Sequence, residues 1–98
     1  MIQPATYQMA EAPGALAVSG ALTFATAASA LEAGRAALSR GNPATLDLAG
    51  VTQADSAGLA TVLALLAHAR QKGNAMKVAN VPVGLEALAR VSGVSAFI

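Results

Sequence analysis

The chain has 98 residues, a formal net charge of +1 and no Pro-, Gly- or Ser-rich linker, so it reads as one domain able to bury roughly two-thirds of its unfolded surface. Its six Lys and Arg are scattered and its aromatic residues are one Tyr and two Phe, which excludes the basic stripe and stacking platform of a nucleic-acid groove. With 11% charged residues and no cysteine, it has neither a disulfide framework nor a thiolate metal site, a composition compatible with the cytosol. The bland surface fits either a protein that works against a partner or an alanine-biased proteome.

Met1-Ile2-Gln3-Pro4 lacks the basic segment and apolar core of a signal peptide. Ala5 to Ala10 is read as a first strand, and Pro13-Gly14 as a type II turn into a second strand, Ala15 to Leu22, which makes a hairpin. Thr23 or Thr26 caps the next helix, which runs to about Arg40. Ala27, Leu31, Gly34 and Leu38 recur at helical spacing as a thin inward stripe, with Ser29, Glu32, Ser39 and Arg40 facing water. Gly41-Asn42-Pro43 stops that helix, glycine taking a left-handed cap and proline breaking the ladder. Thr45 to Ala49 is the third strand, apolar at Leu46 and Leu48. Asp47 lies between them and needs donors, for which loop amides near Asp55 are the candidates.

The strand gives way to a helix at Val51-Thr52-Gln53-Ala54-Asp55-Ser56-Ala57-Gly58-Leu59. Either Asp55 or Ser56 is the N-cap, and in both cases the Ser56 hydroxyl sits at the positive end of the helix dipole. The helix from Ala57 to Lys72 offers two faces. Leu59, Val62, Leu63 and Leu66 form the inner one; Ala57, Thr61, Ala64, Leu65 and His68 form a small, apolar second face, either a docking surface or a seat for the protein's own loops. Its longest nearly apolar run, Ala57 to Ala67, is about half the ~20 residues needed to span a bilayer, so direct membrane insertion is not expected. After Gly73-Asn74, Met76, Val78 and Asn80 alternate with Lys77, Ala79 and Val81 in a fourth strand. Val83 to Ser92 is the last helix, with Leu85, Leu88 and Ala89 inward and Gly93 as its stop; Val94 to Ile98 either adds an edge strand or packs down. The expected fold class is an α/β sandwich, a mixed four- to five-stranded sheet with about three helices chiefly on one face.

Enzyme chemistry finds little support. The single histidine, His68, lies roughly 18 Å along the helix axis from Ser56, too far to act as its general base. No set of convergent ligands predicts a metal, no phosphate-binding Gly-rich loop predicts a nucleotide, and Asp55 and Glu11 are not an evident acid-base pair. No cofactor is expected. Ser56 is either a plain cap or a functional hydroxyl; a phosphate on it would gain from helix-end amides and meet Asp55 as a like charge.

Asp55-Ser56-Ala57-Gly58-Leu59, following Leu46-Asp47-Leu48-Ala49-Gly50-Val51, resembles the signature of STAS domains, over a stretch from about Ala15 to Val94. That family includes anti-sigma-factor antagonists, modules of sulfate transporters, and the STAS subunit of Mla-type phospholipid ABC transporters. The resemblance implies the sandwich fold and places a hydroxyl residue at Ser56: the phosphorylated serine of the antagonists, or a contact with the ATPase in the Mla-type subunits. Gly20-Ala21-Leu22-Thr23-Phe24-Ala25-Thr26 is similar to the Mla type, whereas the antagonists typically carry Asp at the position of Thr23. Ala67 to Asn74 and Leu85 to Ala89 resemble the Mla type as well.

The resemblance therefore implies a non-enzymatic subunit of a transporter that maintains outer-membrane lipid asymmetry, cytoplasmic and peripheral to the inner membrane. Its partner would be the ABC ATPase, with the permease in the full complex. The expected contact residues are Thr52, Asp55, Ser56, Ala57, Thr61, Ala64, Leu65 and His68. The alternative is an anti-sigma-factor antagonist, whose partner is a kinase and whose switch is phosphorylation of Ser56. A free-standing enzyme or nucleotide binder is the third class.

Overall fold

A computed structural model describes residues 6–98. It opens with a hairpin of β1 (Tyr7–Ala12) and β2 (Ala15–Leu22), in which Ala12 pairs with Ala15 across Pro13-Gly14. Gly14 takes φ +74, which the reversal needs and a side chain resists. The first strand thus runs on to the turn, two residues beyond the sequence expectation; Ala5, where that expectation began, lies outside the described residues. From β2 the chain crosses through α1 (Ala27–Arg40) to β3 (Thr45–Ala54), then through α2 (Ser56–Gln71) to β4 (Lys77–Ala79). Both crossovers give parallel pairs, so the sheet is mixed and ordered β1-β2-β3-β4. α3 (Val83–Val91) and a 3-10 turn, Ser95–Phe97, close the chain. Among the described residues, four strands and three helices make the α/β architecture that the sequence predicts, without a fifth strand: Val94 to Ile98 packs down rather than pairing.

Strand alternation decides which face is covered. Leu16 and Val18 of β2 and Leu46 and Leu48 of β3 point to one side and are buried there with Leu59, Val62 and Leu65 of α2 and Leu38 of α1. Ala17, Ser19 and Asp47 point to the other side and are half-buried. β3 is twice as long as the expected Thr45 to Ala49. It stays paired with β2 to Leu22↔Ala54, absorbing register shifts on the way, and buries Val51.

The helix phases also differ from expectation. In α1 the buried line is Ala30, Gly34, Ala37 and Leu38, while Ala27 and Leu31 are half-buried. The rotation follows from Gly34, which turns toward α2: the methyls of Leu65 occupy the space that a Cβ there would fill. Ser29, Glu32, Ser39 and Arg40 are exposed as expected. Gly41 ends α1 in extended geometry (φ −170, ψ 179), not in the left-handed cap anticipated for it. The end is held instead by Arg40, whose guanidinium donates to Glu11 of β1 at 2.6 Å, and by Lys72, whose ammonium donates to the Leu38 carbonyl.

Asp47 also finds different partners from those expected. Its Oδ1 accepts from the Ala49 amide and from the side-chain amide of Asn80, both at 3.0 Å, and the Asn80 contact foremost holds the carboxyl below its usual range. Asn80 takes φ 56, a conformation asparagine tolerates, and so pins the turn between β4 and α3 to the open side of β3. In α3, Leu85 and Ala89 are buried and Leu88 half-buried, and Gly93 (φ 76) ends the helix. Among the described residues no helix is long and apolar enough to cross a membrane.

Candidate docking site at the start of α2

The carboxylate of Asp55 joins the two loops at the C-terminal edge of the sheet. Asp55 is extended (φ −130, ψ −170) and is the N-cap of α2: Oδ1 accepts from the Gly58 amide at 3.1 Å. Its Oδ2 accepts from the Phe24 amide at 3.0 Å, so one side chain closes the helix end and fixes the loop between β2 and α1. The Phe24 amide, and after it the Gly58 amide, hold the carboxyl below the ordinary value of 3.8.

That neighbouring loop has its own internal support. The Thr26 hydroxyl donates to the Ala21 carbonyl at 2.8 Å and accepts from the Thr23 amide at 3.0 Å, and Thr26 is only 4% exposed. Thr26 therefore occupies the N-cap position of α1, one of the two expected, but its side chain ties the loop to β2 rather than capping the helix. Phe24 projects from this braced turn with 85% of its surface exposed. Gly58 brings the loops together from the other side. A Cβ at Gly58 would collide with the Leu22 carbonyl oxygen, so the first turn of α2 rests directly on the end of β2.

In the Asp-Ser-Ala-Gly run, Asp55 is thus the clamp and Gly58 the contact. Ser56 is left as the first helical residue, exposed, its hydroxyl with no hydrogen bond among the described residues. Of the two capping alternatives, Asp55 is the one realised. Thr52 is exposed near the end of β3, and Ala57, Ala64 and His68 are half-buried. Thr61 and Leu65 must be removed from the surface set. Thr61 is 4% and Leu65 1% exposed, because this side of α2 faces inward, with Leu65 packing on α1 at Gly34, and the Thr61 hydroxyl is satisfied by the Ala57 carbonyl at 2.9 Å. The inner face expected to hold Leu63 and Leu66 leaves both half-buried, and the exposed line of α2 starts at Ser56 and continues through Ala60 and Ala67. Phe24 and Ala60 are the residues that sequence reasoning left out of the site. An aromatic residue in a Thr-rich loop directly after a strand was the available signal for Phe24. His68 has no cluster of three or more potential ligands around it among the described residues.

Because the folded Asp55 carboxyl titrates below its unfolded value, its contribution to stability is present above the ordinary value of 3.8 and is lost as pH falls through the folded value. Asp55→Asn keeps an acceptor for only one of the two amides. It is expected to lower Tm by a few degrees at neutral pH, with the gap to the parent closing as pH is lowered below 3.8; thermal melts across that range check it.

Fold and site together define a STAS-type α/β sandwich with a carboxylate-clamped loop pair at the end of its sheet. The chain belongs to the STAS domain family: the family model described as "Mlab, STAS domain" matches residues 5–98. The structure of the anti-sigma factor antagonist SpoIIAA in its unphosphorylated form is similar over 94% of this chain and 84% of that one, with a TM-score of 0.71 at 15% identity, a likeness of fold. No curated protein sequence matches the chain.

Proposed function

We propose that the protein is the non-enzymatic STAS subunit of a phospholipid-trafficking ABC transporter, held on the cytoplasmic side of the inner membrane by docking on the transporter ATPase. The observation that carries this reading is the pairing of an 85% exposed Phe24 with the unengaged Ser56 hydroxyl on two loops locked together by Asp55. A large aromatic side chain held out in water on a braced turn is a ready anchor, and because the loops are already ordered, little entropy is lost on binding. The Mla-type description of the matching family supports the ATPase as the partner. Thr52, Ala57 and Ala60 extend the same surface, with Ala64 and His68 further along α2. The subunit would act by binding one state of the ATPase in preference to another, since only differential affinity shifts an equilibrium.

Phe24→Ala and Ser56→Glu are each expected to weaken the complex with the ATPase by roughly tenfold or more while leaving the melting curve of the isolated protein unchanged. Calorimetric titration of the two purified proteins measures this. Binding by Ser56→Glu as tight as the parent's would remove the proposed site.

The exposed, unengaged Ser56 hydroxyl also favours a second reading, an antagonist whose hold on a kinase is released by phosphorylation there. In that case the phosphate would compete with the Asp55 carboxylate for the Gly58 amide and repel it. Phosphate on Ser56 in protein isolated from its host, with a kinase as the co-purifying partner, would favour that reading.

A further inference from the structure

A groove of about 640 Å³ runs along the other end of α2, between that helix, the edge strand β4 and the 3-10 turn. Its floor is aliphatic, formed by Leu63 and Leu66 of α2 with Met76 and Val78 from the β4 side. Phe97 forms part of the far wall and keeps 64% of its surface exposed, an apolar cost that a bound molecule lying in the groove would relieve. The polar side chains that line it are those of Arg70, Gln71, Asn74 and Lys77. Arg70 stands one helical turn beyond Leu66, and Lys77 borders the groove from the edge strand. No Asp or Glu lines it, and neither cation makes an ion pair among the described residues, whereas Arg40 and Arg90 are paired with Glu11 and Glu86. The negative end of the α2 dipole does not oppose an anion there strongly, because the amides of Lys72, Gly73 and Asn74 already close the carbonyls of Ala69 and Arg70.

We propose that this groove binds a single-chain anionic amphiphile, its acyl chain along Leu63, Leu66, Met76 and Val78 and its carboxylate or phosphate head at Arg70. The volume falls within the range of about 300–1,000 Å³ usual for small-molecule sites, and an aliphatic floor bordered by an unpaired guanidinium and an unpaired ammonium is complementary to a long tail with one negative end. The groove takes its lining from the second half of α2 and shares none of it with Phe24, Thr52, Ser56 or Ala57, so its binding is measured on the isolated protein without the docking partner.

The test is calorimetric titration of the intact protein with dodecanoate, dodecyl phosphate and dodecyltrimethylammonium, each below its critical micelle concentration, with methyl NMR shifts recorded alongside. The expected result is saturable one-to-one binding of at least one of the two anions, with shifts centred on Leu63, Leu66 and Met76. Which anion binds tighter distinguishes a carboxylate head from a phosphate head. Arg70→Glu should weaken that binding by roughly tenfold and Ala67→Trp, which fills the trough from an exposed position, should abolish it, with melting curves unchanged. Absence of saturable binding by both anions, equal binding of the cation, shifts elsewhere on the protein, or an Arg70→Glu variant that binds like the parent would each overturn the proposal.

Discussion

A Gly58→Ala variant is expected to lose about 3 kcal/mol of stability, although glycine-to-alanine in a helix ordinarily gains up to ~1 kcal/mol. The reversal comes from the Leu22 carbonyl oxygen, which lies where the new methyl group would sit. Both atoms belong to the backbone or are fixed to it, so no rotamer change relieves the collision. Either the first turn of α2 lifts off β2, breaking the Asp55 bond to the Gly58 amide, or the end of β2 moves and carries the Phe24 loop with it. Gly84 is the internal control. It lies in the first turn of α3, and a methyl group added there would meet nothing within 4 Å, so Gly84→Ala should be neutral or stabilising by a few tenths of a kcal/mol. Chemical denaturation of the two variants, giving changes of opposite sign, checks the account. Equal small changes would mean that the contact between α2 and β2 is not close.

Leu65→Ala is expected to destabilise the protein by about 3 kcal/mol and to lower Tm on the order of 15 °C. Leu65 is 1% exposed and fills the space left by Gly34 where α1 and α2 approach each other. Truncation leaves a cavity against a position that has no side chain with which to close it. The same substitution distinguishes the observed phase of α2 from the one expected from sequence. Were Leu65 on a docking face, alanine would weaken partner binding at little cost in stability; here the loss is in the melting temperature, and Ala60→Glu, on the exposed line, should leave Tm nearly unchanged.

The hairpin, the three helices and the strand before Asp55 were legible because each carries a local signal, such as the Pro13-Gly14 pair at the turn, the run from Leu59 to Lys72 without Gly or Pro, and the alternation of Leu46 and Leu48. What could not be read was set by tertiary contact. Gly50, Thr52 and Gln53 interrupt the strand pattern of β3, yet parallel pairing with β2 carries the strand through them to Ala54. The phase of α2 was ambiguous because leucines occupy positions 59, 63, 65 and 66 on several sides of the helix and the spacers are alanines. Thr61 was placed by spacing on the small, apolar second face with Ala57, Ala64, Leu65 and His68; that side turns inward at Thr61, whose hydroxyl is satisfied by the Ala57 carbonyl.

The candidate site divides in the same way. Asp55, Ser56 and Gly58 could be singled out from the motif alone. That the Asp55 carboxylate also reaches across to the Phe24 amide depends on two loops 31 residues apart being adjacent. Periodicity carries no information about an exposed aromatic residue on an irregular turn, which is why Phe24 emerged only from the structure.

On the proposed function, the Phe24 and Ser56 end is the face that meets the ATPase. The most direct measurement places a photo-crosslinking phenylalanine at position 24 and, separately, at Ala10 on the exposed side of β1, irradiates cells of the native host, and identifies the adducts by mass spectrometry. An adduct with an ABC transporter ATPase is expected from position 24 and none from position 10. An ATPase adduct from position 10 alone, or a kinase as the partner captured at position 24, would contradict it.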